Sequence, residues 1–295
     1  MPFPFSRNLC RMIVTRFAPS PTGYLHLGHA FAAITAFETA RQAGGRFLLR
    51  IEDIDTTRCR PEFERAIFQD LAWLRIEWDG PVLRQSSRFD AYRAALTRLD
   101  AMGLVYPCFC TRAEIATEIS RAIEAPHGPE GPHYPGTCRA LSTPQRAARI
   151  QSGTAYALRL DVQKAAQSAG ALSFEEHGSG PHGEHGTITV DSLLFGDIVI
   201  ARKDVPASYH LAVVVDDAFQ EVTLVTRGND LFAATHAQRL LQGLLALPAP
   251  AYAHHRLILD EHGKKFSKRD KAMTLRELRA SGATPGDIRA RLHLA

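Results

Sequence analysis

Pro19-Ser-Pro-Thr-Gly-Tyr-Leu-His-Leu-Gly-His29 follows a short apolar segment, Met12-Ile-Val-Thr-Arg-Phe17, and leads into a helical pattern. Met12–Phe17 reads as a strand, and the Pro/Ser/Gly stretch as the loop that leaves it. From His29 onward Phe31, Ile34 and Phe37 recur at helical spacing with alanines between them, and Gly44-Gly45 ends the helix. Arg46-Phe-Leu-Leu-Arg-Ile51 is a second strand running into the acidic cluster Glu52-Asp-Ile-Asp55. Strand, glycine loop, helix, strand is the opening of a parallel α/β nucleotide-binding unit. Gly23 and Gly28 let backbone approach a nucleotide closely. A helix beginning near Gly28–His29 aims free N–H groups and its positive dipole end at a phosphate. His26 and His29 can donate hydrogen bonds there without permanent charge.

Outward from this unit, Phe63, Ile67, Leu71 and Leu74 mark a helix with Pro61 at its start. Phe89, Tyr92, Leu96 and Leu99 mark another, with Ser87 as its expected cap. Around Val105 the character changes. Through Val190 the chain is rich in Gly, Pro and His, with short helices such as the one opening at Thr111-Arg-Ala-Glu114, a capping-box pattern. This reads as an inserted subdomain. Ala125–Gly136 and Gly178–Gly186 read as exposed loops whose histidines decorate the surface. Core alternation resumes at Ile198–Ile200, Val222–Val225 and Arg256–Leu259, each expected as a strand. Helical patterns follow at Ala233–Leu247 and Thr274–Ala280, and a last short helix starts at the cap Thr284-Pro285. There is no internal repeat.

The 295 residues suffice for a sizeable core, and 45% apolar with 22% charged residues is ordinary for a soluble globular protein. No apolar run is long enough to cross a bilayer. Met1–Cys10 lacks the sustained apolar stretch of a signal peptide. Five cysteines, an odd count, fit a reducing cytoplasm better than a disulfide framework. The net charge of +4 is concentrated after His254, where ten Lys/Arg face five Asp/Glu, giving +5. That patch suits either a polyanion or a solvated helical surface beside a phosphate site.

The second phosphate-type segment is Lys264-Lys-Phe-Ser-Lys-Arg269, a glycine-bounded loop in which Lys265 and Lys268 supply two mobile ammonium groups. Lys268 is the better candidate to meet phosphates, with Lys265 assisting. A carboxylate attacking the α-phosphorus of ATP needs positioning and electrostatic stabilisation more than covalent help. The two segments together resemble the hallmark motifs of class I aminoacyl-tRNA synthetases. Arg16–Gly23, Arg50–Arg58, Ser208–Asp217 and Val225–Asp230 resemble the glutamyl/glutaminyl branch in particular. In the second motif Phe266 stands where Met or Leu is usual and Arg269 where a small residue is usual, while both lysines and Ser267 remain.

The resemblance implies a Rossmann-like parallel-sheet catalytic domain with an inserted α+β subdomain and a short C-terminal helical piece. The expected limits are 11–104 and 191–260 for the two catalytic halves, 105–190 for the insert and 261–295 for the lysine loop and stem-contact helices. It implies ATP with Mg2+ as co-substrate, held by Gly28, His29, Ser267 and Lys268, with His26, His29, Lys265 and Lys268 assisting the chemistry. It also implies L-glutamate contacts from Arg16, Ser20, Glu52, Tyr209 and Arg227. Arginine suits a carboxylate because it presents a planar fork of donors, and Glu52 suits the ammonium. The division of labour between Arg16 and Arg227 stays open at this point.

Cys108-Phe-Cys110 and Tyr134-Pro-Gly-Thr-Cys138 supply three thiols, one short of a tetrahedral zinc site. His133 or His127 would be the ordinary fourth donor. The resemblance favours Tyr134, and a structural zinc, because related short synthetases carry the same spacing. Only 27 residues follow Lys268, so no anticodon-binding domain is expected. In this the chain resembles the short family that transfers glutamate to queuosine in the anticodon stem-loop of tRNA(Asp). The alternatives are a truncated conventional synthetase charging the 3′ end of tRNA(Glu), and a non-catalytic paralogue that binds tRNA or amino acid.

Overall fold

The computed structural model describes residues 12–121, 127–129, 131–202, 205, 207–259 and 273–294. Lys264–Arg269, with the expected roles of Lys265, Ser267 and Lys268, lies outside the described residues. The opening unit forms as its pattern dictates. β1 (Val14–Phe17) and β2 (Arg46–Ile51) pair in parallel, and α1 (Leu27–Gln42) connects them. Gly44 takes the left-handed φ of +62° that turns the chain out of α1. A Cβ on Gly45 would stand 2.0 Å from the Ile13 carbonyl, so only glycine fits where β2 meets the start of β1.

α2 (Pro61–Trp73) begins on its expected proline and leads to β3 (Leu83–Arg84), the outer parallel partner of β2. α3 (Phe89–Ala101) follows, but Ser87 is not its cap. Ser87 lies in a 3-10 turn over Gln85–Arg88, where its hydroxyl donates to the Arg84 carbonyl at 2.7 Å, and Arg88 precedes the helix with no side-chain cap. Next come β4 (Val105–Cys108), α4 (Arg112–Arg121), the short pair β5 (His127–Gly128) and β6 (Gly131–Pro132), and α5 (Thr143–Gln151). Thr111 and Glu114 close the expected capping box through reciprocal bonds of 3.2 and 2.6 Å.

β7 (Ala157–Leu160), α6 (Val162–Ala169), β8 (Ser173–Glu176), β9 (Gly186–Thr189) and β10 (Val199–Arg202) follow. β4, β7 and β10 form an antiparallel sheet of their own. β8 and β9 instead extend the parallel sheet, because β8 pairs with β12 (Ala251–His255), the neighbour of β11 (Leu224–Gly228). The change of sheet therefore does not coincide with residue 190: strands before it complete the parallel sheet, and β10 after it returns to the antiparallel one.

The two parallel groups meet at β1. The Thr223 N–H donates to the Val14 carbonyl at 3.0 Å, and the Val14 N–H donates to the Thr223 hydroxyl at 2.8 Å. The order β3-β2-β1-β11-β12-β8 is thus a mixed α/β arrangement around a parallel sheet. α7 (Tyr209–Phe219) and α8 (Ala234–Leu244) pack together, and α9 (Leu275–Ala280) and α10 (Pro285–Arg291) close against α1 and α2. Arg256–Leu259, expected as a strand, mostly is not one. The ladder with β11 ends at Gly228 opposite His255, so β12 stops when its partner stops.

Buried charge stitches this sheet to α7. Asp217 accepts from Arg16 Nε of β1 at 3.0 Å and from Arg50 Nη1 of β2 at 2.7 Å, and Arg50 is wholly buried. Burial pushes the Asp217 carboxyl up, but Arg16 and Arg50 outweigh it and hold it below the ordinary carboxylate range. Removing one partner of a buried pair leaves an uncompensated charge, typically at a cost of about 3–5 kcal/mol. Asp217→Asn is therefore expected to lower unfolding stability by about that amount in urea denaturation at neutral pH. A loss below about 1 kcal/mol would contradict this role. Because the folded-state value is depressed, the contribution is present in full above the ordinary carboxylate range and is lost as pH falls from that range through the lower folded-state value.

Candidate active site

A cavity of about 1060 Å³ opens where the parallel strands end, the usual place for a ligand in such sheets. β1 brings Arg16 to it, the loop after β1 brings Ser20, and the turn after β2 brings Glu52. β11 carries Arg227 one residue before its end, and α7 begins with Tyr209 and His210. All five residues expected to hold the amino acid, Arg16, Ser20, Glu52, Tyr209 and Arg227, thus line this cavity together with His29. His26 and Gly28 sit at the start of α1 without lining it.

The two histidines cap α1 in a reciprocal way. The Gly28 N–H donates to His26 Nδ1 at 3.1 Å, and the His26 N–H donates to His29 Nδ1 at 3.2 Å. With both Nδ1 atoms accepting, each neutral ring carries its proton on Nε2. The rings lie 3.8 Å apart by centroids. Beyond Met273 the chain returns here: Leu275 N–H donates to the Leu25 carbonyl at 2.8 Å, and Thr274 bridges His26 in antiparallel fashion.

The arginines differ in their partners, which composition and spacing did not reveal. Arg16 is saturated on one edge by Asp217, and Arg50 by Asp217 and by Glu52 at 3.2 Å. Burial pushes the Glu52 carboxyl up against the pull of Arg50 and Arg16. Arg227 is only 6% exposed, yet its described partners are all neutral. Its Nε donates to His254 Nε2 at 3.1 Å, Nη1 to Gln238 Oε1 at 2.8 Å and Nη2 to the Thr235 hydroxyl at 2.7 Å. A fourth contact, to the Tyr209 hydroxyl, is long at 3.5 Å. Five N–H groups minus these acceptors leave donor capacity toward the cavity. Asp217, Arg50 and His254 escape sequence reasoning because their partners are distant in sequence, and Thr235 and Gln238 because no motif marks a neutral helix residue as the partner of an arginine on the preceding strand.

The cysteines converge as expected. Cys108, Cys110 and Cys138 have their sulfurs within 4.8 Å of one another. Cys110 and Cys138 are 3.4 Å apart, and Tyr134 Oη is 3.4 Å from Cys110 Sγ and accepts from the Cys138 N–H at 2.9 Å. A tetrahedral metal with metal–sulfur distances of about 2.3 Å sets its sulfurs about 3.8 Å apart, so this donor set fits one ion. His133 is engaged elsewhere, with Nε2 2.9 Å from the Leu194 carbonyl. His127 lies among residues whose side chains are not described. Burial pushes the Cys110 thiol up to about 12. Tyr134 also lines the cavity, with the Arg159 guanidinium stacked 3.9 Å from its ring centre.

The family described as tRNA synthetases class I (E and Q), catalytic domain, matches residues 12–294. The glutamyl-Q tRNA(Asp) synthetase of Rhodobacter capsulatus is 53% identical over 94% of this chain and 98% of its own length. That of Nocardia farcinica is 45% identical, over 94% of this chain and 82% of its own. The glutamate–tRNA ligase of Aquifex aeolicus is 41% identical over 92% of this chain but only 55% of its own length. In structure the chain is similar to a glutamate tRNA ligase from Elizabethkingia meningosepticum crystallised with its amino acid. The TM-score is 0.71 and the identity 28%, over 92% of this chain and 54% of the other. The chain thus spans about half the length of the glutamate–tRNA ligases it matches.

His210 offers a direct check on the cavity wall. Burial, helped by the Arg227 charge, lowers its pKa to about 4. Since the folded value lies below the ordinary 6.5, the folded imidazole resists protonation, and stability drains away as pH falls from about 6.5 toward 4. Nitrogen-15 imidazole spectra should show His210 neutral at pH 5.5. A midpoint near 6.5 would place this ring in water.

Proposed function

We propose, because the chain belongs to the family of class I tRNA synthetases for glutamate and glutamine, that it activates L-glutamate with ATP and transfers it to tRNA. The acceptor we infer is queuosine at the wobble position of tRNA(Asp), which accords with the names of relatives that the chain matches over most of their own length. The observation that carries the glutamate reading is Arg227: a buried guanidinium with neutral partners at a cavity wall is completed by an anionic ligand. The side-chain carboxylate of glutamate supplies that anion. Glutamine, with a neutral amide, would leave the buried charge uncompensated.

In this reading Glu52 accepts from the α-ammonium, and Ser20 and Tyr209 add neutral hydrogen bonds. Arg16, already tied to Asp217, stands near the reacting α-carboxylate. That carboxylate attacks the α-phosphorus of ATP, the bond to the β-phosphate oxygen breaks, and pyrophosphate leaves with Mg2+. The ring of His29, which lines the cavity at the positive end of α1, donates to a phosphoryl oxygen, and His26 and Gly28 are assigned to the same phosphates by resemblance. Lys265 and Lys268, with Ser267, are assigned to the phosphates by resemblance. Attack by the acceptor on the glutamyl carbonyl then releases AMP. This proceeds with the adenylate formed before RNA binds, in the cytoplasm, and the antiparallel β4-β7-β10 region supports the RNA.

Zinc is the proposed ion of the Cys108, Cys110, Tyr134 and Cys138 set. With four protein donors it has no open position, so it braces the loops and takes no step in catalysis. Among the described residues no helix is long and apolar enough to cross a membrane.

Three measurements bear on this. Glutamate-dependent pyrophosphate exchange should proceed without tRNA, and labelled glutamate should then appear on queuosine-bearing tRNA(Asp). Label on the 3′ end of tRNA(Glu) would favour a conventional synthetase, and no exchange at all a non-catalytic paralogue. Arg227→Met should lower kcat/KM for glutamate by about a hundredfold or more while KM for ATP changes little. Metal analysis should find one zinc per chain, and Cys138→Ser should lose both the ion and several degrees of Tm.

A further inference from the structure

Behind Arg227, away from the described wall residues, stands a chain of two buried groups. Glu176 at the end of β8 is fully buried, and His254 of β12 is 1% exposed. Glu176 Oε2 lies 2.5 Å from His254 Nδ1, and Glu176 Oε1 accepts from the His254 N–H at 2.9 Å and the Gly178 N–H at 2.7 Å. On its other side His254 Nε2 accepts from Arg227 Nε. A guanidinium cannot accept, so Nε2 must be bare, and the ring proton is on Nδ1, donated to the carboxylate. Neither group lines the cavity.

Main-chain fit holds the pair in place. The His177 N–H donates to the Tyr252 carbonyl at 2.7 Å, and the Ser179 N–H donates to the His254 carbonyl at 3.0 Å. A Cβ on Gly178 would fall 2.1 Å from that His254 carbonyl oxygen, so only glycine lets the β8 end clasp β12 here. The charge states agree with the geometry. Burial lowers the His254 pKa, which keeps the ring neutral, while His254 and Gly178 outweigh burial and hold Glu176 ionised.

We propose that Glu176, acting through His254, is the positioning residue that fixes the tautomer of His254 and thereby turns the donor edge of Arg227 toward the glutamate carboxylate. The carboxylate selects the Nδ1–H form, and that form alone presents Arg227 with an acceptor. Without it the ring takes the other tautomer, sets an Nε2–H against the Arg227 Nε–H, and the guanidinium must swing away. The carboxylate also returns a negative charge to the far end of the relay. Arg227 is thereby stabilised in the empty site, and no carboxylate occupies the position the substrate needs. Glu176 and His254 are thus second-layer determinants of specificity, a role that supporting groups behind metal-binding histidines perform with effects of about 10–100-fold.

This rests on the glutamate reading above, and the test separates the two. Wild-type protein is assayed first for glutamate-dependent exchange; its absence would defeat the glutamate reading itself. With exchange present, Glu176→Gln should raise KM for glutamate about tenfold or more and leave KM for ATP unchanged. Imidazole nitrogen-15 spectra should show His254 as the Nδ1–H form in wild type and the Nε2–H form in the variant. His254→Leu should raise KM for glutamate as well. His254→Gln, whose amide oxygen can stand where Nε2 stood, should recover most of it. Unchanged glutamate KM in folded Glu176→Gln, or a wild-type His254 in the Nε2–H form, overturns the proposal.

Discussion

Asp217 shares one buried carboxylate between Arg16 and Arg50, and the electrostatics of the cavity follow from that sharing. Glu52 adds the second negative charge, so around β1, β2 and α7 two guanidiniums face two carboxylates. Such a cluster can stay dry and rigid because its charge is balanced within hydrogen-bonding distance. Arg227, on the neighbouring β11, is outside the balance. The wall therefore has a neutralised part, with Glu52 at its rim, and a separate positive pole. A molecule with an ammonium at one end and a carboxylate several bonds away matches that separation, and this is the chemistry of the proposed amino-acid substrate.

The opening unit was legible in the sequence because its signals are local. The six residues of β2, the proline that starts α2 and the threonine cap of α10 appear where pattern and cap chemistry put them. What was hidden depends on pairing between distant segments. β8 is short and lies among glycines and histidines, and only its partnership with β12 shows that it belongs to the parallel sheet. Arg16 and Asp217 are 201 positions apart, and Glu176 and His254 are 78 apart. No periodicity predicts such contacts. The five residues expected to hold the amino acid were named from resemblance, and the arrival of Arg16, Glu52 and Arg227 at one cavity follows from parallel strands ending on the same side of the sheet.

The cysteine cluster and the cavity share a residue. Tyr134 directs its hydroxyl into the three sulfurs while its ring forms part of the cavity wall under Arg159. A bound ion would therefore fix one face of the cavity as well as the loop that carries it. Arg159 continues the link, since its Nη1 donates to the Asp197 carbonyl at 2.6 Å and Asp197 accepts from Arg139 through its side chain. Bracing of this kind ties the cysteine-bearing loops to the antiparallel sheet.

The choice of neutral partners for Arg227 is best understood by considering the alternative. An aspartate in direct contact would stabilise the empty protein more, yet an incoming carboxylate would then meet a filled fork and a repelling charge. Gln238, Thr235 and His254 hold the guanidinium in place through dipoles, which orient it without neutralising its outer edge. The empty site then carries a desolvated charge whose cost is met by packing elsewhere, a common trade at functional positions. Placing Glu176 one ring further back moderates that cost. It keeps the compensating carboxylate close enough to stabilise the arginine and leaves the fork open.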